Sequence, residues 1–225
     1  MGNLLEDPGL RDRVQVFKDR AAAGCLLAAR LKGYQGQAVR VFAIPAGGVP
    51  VAAEIARALQ VPLDLVIVRK IQLPWTTEAG FGALSPAGEA IFNEEFLERL
   101  QMTSEEIDAQ VQKTLANLKQ REKRLRQDRP YLNLAGAATI IGDDGLASGY
   151  TMRAAVAFLK SKGAGKIIVA VPTAAARTVE TLLPLVDELV CLNVRGGWSF
   201  AVADAYENWY DLTEEEVLEI LDSLS

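Results

Sequence analysis

The chain has 225 residues, half of them hydrophobic and 24% charged, which is ample apolar material for one buried core with an inserted subelement. Its formal net charge is -5, so a global cationic field is absent, non-specific nucleic-acid binding is disfavoured, and any anion must be held locally. No histidine is present, which removes histidine triads, histidine general bases and most zinc enzymes.

The opening MGNLLEDPGLRDR lacks a basic flank followed by an apolar core, so no secretory signal is expected. Glu6 stands where a myristoylation motif after Gly2 needs Ser or Thr. Residues 14–31 have helical periodicity and end near Gly33. Residues 38–44 read as a strand and 45–48 as a turn, and Pro50 then opens a helix through Leu59. Residues 63–68 are a second apolar strand. Residues 70–88, rich in Gly, Pro and Thr, read as a long loop with a short strand at 81–84, and a loop of that length points to function or mobility. Segment 94–128 is polar and helical: Thr103 and Glu106 form a capping-box pattern, and Ile107, Val111, Leu115, Leu118 and Leu125 share one face. It predicts a helical insertion, about 94–130, on the edge of the core.

The strand–helix alternation resumes at 138–142, an apolar strand. A helix follows from Thr151 to Lys162, with Met152, Ala155, Val156 and Leu159 as its buried stripe and Gly163 as C-cap. Strand 167–171, helix 174–183 and strand 188–192 come next. A last helix starts at Thr213, capped towards Glu216, with Val217, Ile220, Leu221 and Leu224 inward. The alternation implies an α/β protein with a mainly parallel sheet covered on both faces. Cys25 and Cys191 lie in apolar runs and read as small buried hydrophobes. No apolar run reaches the roughly 20 residues a bilayer needs, and a cytoplasmic location is expected.

The chemistry concentrates in TIIGDDGLASGYT, residues 139–151. An apolar strand ends at Asp143 and Asp144, a short loop carries Gly145 and Gly149, and a helix begins. Ligands of parallel α/β sheets bind beyond the carboxyl ends of strands. Loop and first-turn amides converge there, the helix dipole favours an anion, and Ser148 and Thr151 add hydroxyls. Ala147, Ser148, Gly149, Tyr150 and Thr151 therefore predict a monophosphate cradle, with Gly145 and Leu146 of the same loop as further binding candidates. The adjacent acids suit vicinal sugar hydroxyls, or a Mg²⁺ held by a diphosphate.

This segment resembles the signature of the type I phosphoribosyltransferase family: apolar strand, two acids, short loop, Thr/Ser-Gly-x-Thr, helix. Ser148 replaces the commoner Thr and keeps the hydroxyl. The overall layout is similar to a subgroup of phosphoribosyltransferases with a helical insertion. The resemblance implies a Rossmann-like parallel core with a small hood in one domain, residues 1–225, the C-terminal hood and helix spanning about 196–225. It implies Mg-dependent transfer from 5-phosphoribosyl 1-diphosphate, the co-substrate, to a nitrogenous base-like acceptor with release of pyrophosphate. In that reading Asp143 and Asp144 hold the ribose hydroxyls and reach Mg²⁺ directly or through water. Ala46, Gly47 and Gly48 form a pyrophosphate turn, Arg69 or Lys70 neutralises the diphosphate together with Mg²⁺, and 70–88 is a closing loop. The N-terminal helix and the aromatic segment 198–210 are candidate hood elements. Partners are small molecules, with no nucleic acid and no membrane, and a homodimer is a family-level expectation.

Blander readings stand beside these. Segment 143–151 also fits an ordinary capped strand–helix turn, and 46–48 a plain tight turn. Arg69 and Lys70 fit solvated loop charges. The run Lys119, Arg121, Lys123, Arg124, Arg126 and Arg129 fits a solvated helix face whose charges complement the helix C-terminus; alternatively, one or two of these arginines reach the diphosphate or a neighbouring subunit. Trp198, Phe200, Trp209 and Tyr210 fit core or interface, or a platform for an acceptor ring. The rival function is a non-catalytic phosphoribosyl-diphosphate or nucleotide sensor of the same fold. No GxGxxG or GxxxxGK[ST] motif supports a dinucleotide or P-loop enzyme.

Overall fold

A computed structural model of the protein describes residues 2–197 and 199–224, except the side chains of residues 77 and 78. In chain order it contains β1 (Asn3–Leu5), α1 (Arg20–Arg30), β2 (Val39–Ala43), α2 (Gly48–Leu59), β3 (Leu63–Leu65), β4 (Arg69–Leu73), β5 (Thr76–Leu84) and β6 (Ala90–Phe92). There follow α3 (Glu94–Leu100), α4 (Ser104–Arg126), β7 (Ala138–Gly142), α5 (Tyr150–Ser161), β8 (Lys166–Ala175), α6 (Ala176–Leu182), β9 (Glu188–Arg195) and α7 (Glu214–Asp222).

Six strands form one parallel sheet in the order β1-β9-β8-β7-β2-β3. Each central strand is apolar on both sides because both faces are covered. In β7, Ile140 joins the buried cluster of Ala23, Leu27 and Ile55 from α1 and α2. Its neighbour Ile141 joins the opposite cluster, with Met152, Val156 and Leu159 of α5 and Leu182 of α6. The chain leaves β2 towards β3 and leaves β7 towards β8, so the order reverses between β2 and β7. That switch point opens a crevice beyond their carboxyl ends. Ala43 pairs with Gly142 there, which sets the turns after the two strands side by side.

Residues 70–88 are not a loop. Most of them form the hairpin β4–β5, which pairs with β6 in an antiparallel three-stranded sheet. The glycines that suggested a loop are sites of close backbone approach: a Cβ on Gly82 would lie 2.5 Å from the Ile91 oxygen, and one on Gly80 2.6 Å from the Ile71 oxygen. Ile71, Phe81, Ala83 and Leu84 are buried beneath the hairpin. Helix α1 begins at Arg20 rather than near 14, because Asp19 caps it by accepting the Ala22 amide at 2.8 Å. β8 runs on to Ala175, so α6 starts two residues later than periodicity suggests. β1 was not legible as a strand; it is three residues long and pairs only at the sheet edge with β9.

Both capping boxes form, Thr103 with Glu106 and Thr213 with Glu216. The apolar face of α4 packs on the core through Leu118 and Leu125, and α7 does so through Val217. Arg126 is not a solvated charge. It is 1% exposed and donates to both carboxylate oxygens of Asp64, at 3.1 and 2.8 Å, and to the Arg129 oxygen at 2.7 Å. Its guanidinium carbon lies 3.5 Å from the centre of the Tyr131 ring, so it pins the end of α4 to β3. Cys191 is buried, and burial pushes its thiol up to about 12. Cys25 is exposed, at the rim between α1 and α2, where its thiol lies 3.6 Å from Oε2 of Glu54. No helix among the described residues is long and apolar enough to cross a membrane.

Candidate functional site

The turn after β2 and the acids after β7 are in direct contact. The Pro45–Ala46 peptide is cis, and the Gly48 amide returns to the Ile44 oxygen at 3.0 Å. Both glycines are required by proximity. A Cβ on Gly47 would fall 1.8 Å from Oδ2 of Asp144, and one on Gly48 would fall 2.7 Å from the Gly142 oxygen and 2.9 Å from Cα of Asp143. Ala46, Gly47 and Gly48 therefore wrap the acid pair, in the crevice where the strand order reverses.

The acids are less open than the sequence suggests. Asp143 is buried, and its Oδ1 accepts the Asp144 amide at 2.9 Å. Asp144 accepts from Nε of Arg20 at 2.9 Å, with both side chains largely buried. Arg20 also donates to the Tyr210 oxygen at 2.8 Å and lies 3.9 Å from the centre of the Trp209 ring. The Tyr206 hydroxyl donates to the Asp144 backbone oxygen at 2.6 Å. Sequence reasoning missed Arg20 and Tyr206. The available signal for Arg20 was a cation at the first position of an otherwise Ala- and Leu-rich inward face.

Electrostatics follow from burial. Desolvation, then the neighbouring charge of Asp144, holds the Asp143 carboxyl well above the usual carboxylate range. Desolvation also raises Asp144, while the Arg20 guanidinium opposes it. Burial pushes the Tyr206 phenol up, so it stays a donor. The pair resists double ionisation until further cations or hydroxyl donors arrive.

The loop after the acids is shaped from β8 and α6. The Leu146 amide donates to the Thr173 oxygen at 3.0 Å, and the Leu146 oxygen accepts the Ala175 amide at 3.0 Å. The Thr178 hydroxyl donates to the Ala147 oxygen. Gly149 caps α5 at φ +77°, and a Cβ there would lie 2.6 Å from Cγ2 of Thr178. Ala147 and Ser148 are exposed, and among the described residues the amides of 147, 148 and 149 have no protein acceptor. They face a cavity of about 580 Å³ lined by Gly145, Leu146, Ala147, Ser148, Gly149, Tyr150 and Thr151. Lys70, Ala79, Gly80 and Gly82 of the hairpin, Asn93, Phe96 and Val202 also line it. Free amides at the start of a three-turn helix are suited to an anion.

The structure thus makes two adjoining groups: the acids with the turn 46–48, and the loop 145–151 with Lys70. Arg69, expected beside Lys70 at the diphosphate, points elsewhere. Neighbouring residues of a strand face opposite sides, and Arg69 lines a separate cavity with α4 and α7. Of the aromatic candidates, Trp198 lies outside the described residues. Phe200 lies 5.1 Å from the Arg195 guanidinium carbon, and Tyr210 is exposed with its hydroxyl on Glu216 at 3.1 Å. Trp209, partly exposed, stacks on Arg20.

Comparison with known proteins shows the family to which the chain is similar. Residues 17–205 match the family described as "Phosphoribosyl transferase domain". A protein of Mycobacterium tuberculosis strain H37Rv, named "Putative phosphoribosyl transferase Rv0571c", is 37% identical over 209 residues, which are 93% of this chain and 47% of that protein. The chain spans about half the length of the curated relatives it matches. The crystal structure of the protein TT1426 from Thermus thermophilus is 34% identical, with a TM-score of 0.73 over 93% of this chain and 99% of that one.

Proposed function

The chain belongs to the phosphoribosyl transferase domain family, and on that premise we propose that it transfers a 5-phosphoribosyl group from phosphoribosyl diphosphate to a ring nitrogen, releasing pyrophosphate. The observation that carries this is the contact of Gly47 with the Asp144 carboxylate beside a helix start whose loop amides are unclaimed.

In this reading the 5-phosphate takes the amides of 147–149 and the hydroxyls of Ser148 and Thr151, with Lys70 at the cavity wall. Asp143 and Asp144 accept from the ribose hydroxyls, and the diphosphate lies against Ala46, Gly47 and Gly48. The C1–O bond breaks with its electron pair going to pyrophosphate, the acceptor nitrogen bonds to C1, and the acceptor's proton leaves to solvent. Positive charge grows on the ribose as the bond opens, and the ionised acids stabilise it. Arg20 holds Asp144 in place from behind. The hairpin β4–β5, Asn93 and Phe96 form part of the cavity wall.

Among the described residues no three His, Cys, Asp or Glu side chains gather as a metal site. Two carboxylates beside a diphosphate turn do fit Mg²⁺ shared with substrate oxygens, held by Asp143 and Asp144 directly or through water. Bound there, it would neutralise charge on the departing diphosphate.

The test is pyrophosphate release from the donor across a panel of nitrogenous bases. Release with at least one base is expected, and Asp144→Asn should fold yet lower it at least tenfold. Donor binding with no release from any base would overturn transfer and favour a sensor; full turnover by the Asn variant would overturn the role of the acids.

A further inference from the structure

Because Arg69 and Lys70 point to opposite sides of β4, the hairpin has a second charged side that the proposed reaction does not use. There, Arg69 lines a cavity of about 350 Å³ with Arg121 and Arg124 of α4, Glu214 of α7, and the amides of Asn117 and Gln120. Among the described residues three guanidinium groups share a single lining carboxylate. A purely solvated helix face would let its arginines spread apart; these converge.

The cations are incompletely satisfied. The Arg121 side chain is 15% exposed, and its Nε sits 3.5 Å from Oε1 of Glu214. No hydrogen bond forms at that separation, so the buried Nε–H meets no acceptor among the described residues. Arg124 turns towards Glu214 at 3.0 Å and towards Glu215. No described carboxylate lies within ion-pair distance of Arg69. Burial, then the charge of Arg69, lowers the affinity of Arg121 for its proton, with Glu214 opposing. A desolvated donor without an acceptor is costly, and a cluster of like charges adds to that cost.

We propose that this cavity is a second anion site, separate from the phosphate loop, which takes inorganic phosphate or pyrophosphate. Planar guanidinium forks match the oxygens of a tetrahedral oxyanion, and the neighbouring side-chain amides supply further donors. Among the described residues no aromatic or aliphatic side chain lines the cavity, so none of them there would hold the base of a nucleotide. The site does not rest on the proposed transfer, since none of its side chains lines the loop cavity or contacts the acid pair.

The experiment is a titration of the ¹⁵N-labelled chain with pyrophosphate, and separately with phosphate, following the arginine Nε–H resonances. Absence of a peak in Arg121→Lys identifies Arg121. A saturable shift of that peak is expected. In Asn117→Asp, which adds a negative charge to the cavity wall at an exposed position, the midpoint should rise at least tenfold. Gln120→Glu, also exposed, provides the same measurement if the first variant does not fold. An Arg121 peak that does not move, a shift reproduced by sodium chloride at equal ionic strength, or an unchanged midpoint in the acidic variant would overturn the site.

Discussion

Replacing Gly47 by alanine probes the contact on which the site depends. The backbone of Gly47 is at φ -58° and ψ -33°, which alanine adopts without strain. The obstacle is a side chain: the new Cβ would lie 1.8 Å from Oδ2, 2.4 Å from Cγ and 3.0 Å from Oδ1 of Asp144. The carboxylate must swing away, and it would leave Nε of Arg20, now 2.9 Å distant, largely buried and unpaired. Overpacking costs about 1–3 kcal/mol, and breaking a buried pair about 3–5 kcal/mol when no relaxation occurs. Because the displaced group is a side-chain end that can move, a total of about 2–4 kcal/mol is expected. For a chain of this size that lowers Tm by about 4–16 °C. Asp144→Ala removes all three clashing atoms. In that background Gly47→Ala should be neutral, or stabilising by about 0.4–1 kcal/mol through the unfolded chain. The assay is a double-mutant cycle by chemical denaturation. If Gly47→Ala costs as much with Ala at 144 as with Asp, the reasoning from contact geometry is refuted.

Asp143→Asn should gain stability over the natural chain as pH rises. The folded state raises the Asp143 pKa, so its favourable contribution is complete below about pH 4 and is lost as pH climbs through the folded value, a loss that asparagine escapes. Denaturation at pH 4, 6 and 8 checks this, and a difference that is flat or shrinks with pH contradicts it. Gly149→Ala should weaken donor binding at least tenfold, because φ +77° and Cγ2 of Thr178 both oppose a Cβ. Thr178→Ser, which removes that methyl and keeps the hydroxyl, should restore part of the binding in a calorimetric titration. Arg126→Met should cost about 1.5–3 kcal/mol, since it strips the charged hydrogen bonds from the partly exposed Asp64 at the end of α4. A denaturant midpoint within error of the natural chain would show that this pair does not hold the insertion.

What the chain declares locally is what its sequence reveals. Apolar runs separated by helical stripes specify a covered parallel sheet, because burial on both faces leaves no alternation to disguise them. Capping boxes at Thr103 and Thr213 are read from four residues each, and both form. The strand, twin acids, glycines and helix of 139–151 are contiguous, so this segment stands out as a candidate anion loop before any folding. Glycine misleads at Gly80 and Gly82, because the same residue serves a loop and a tight strand approach.

Contacts across the chain belong to the tertiary structure alone. Arg20 reaches Asp144 over 124 positions, and Tyr206 reaches it over 62. The register of Ala43 with Gly142 presses Gly47 onto the acid, and one step along β4 sends Lys70 to the loop cavity and Arg69 away from it. Periodicity assigns a residue to a face of its own element. Which neighbour occupies that face depends on how distant strands align, and that is settled only when the sheet and its covering helices pack together.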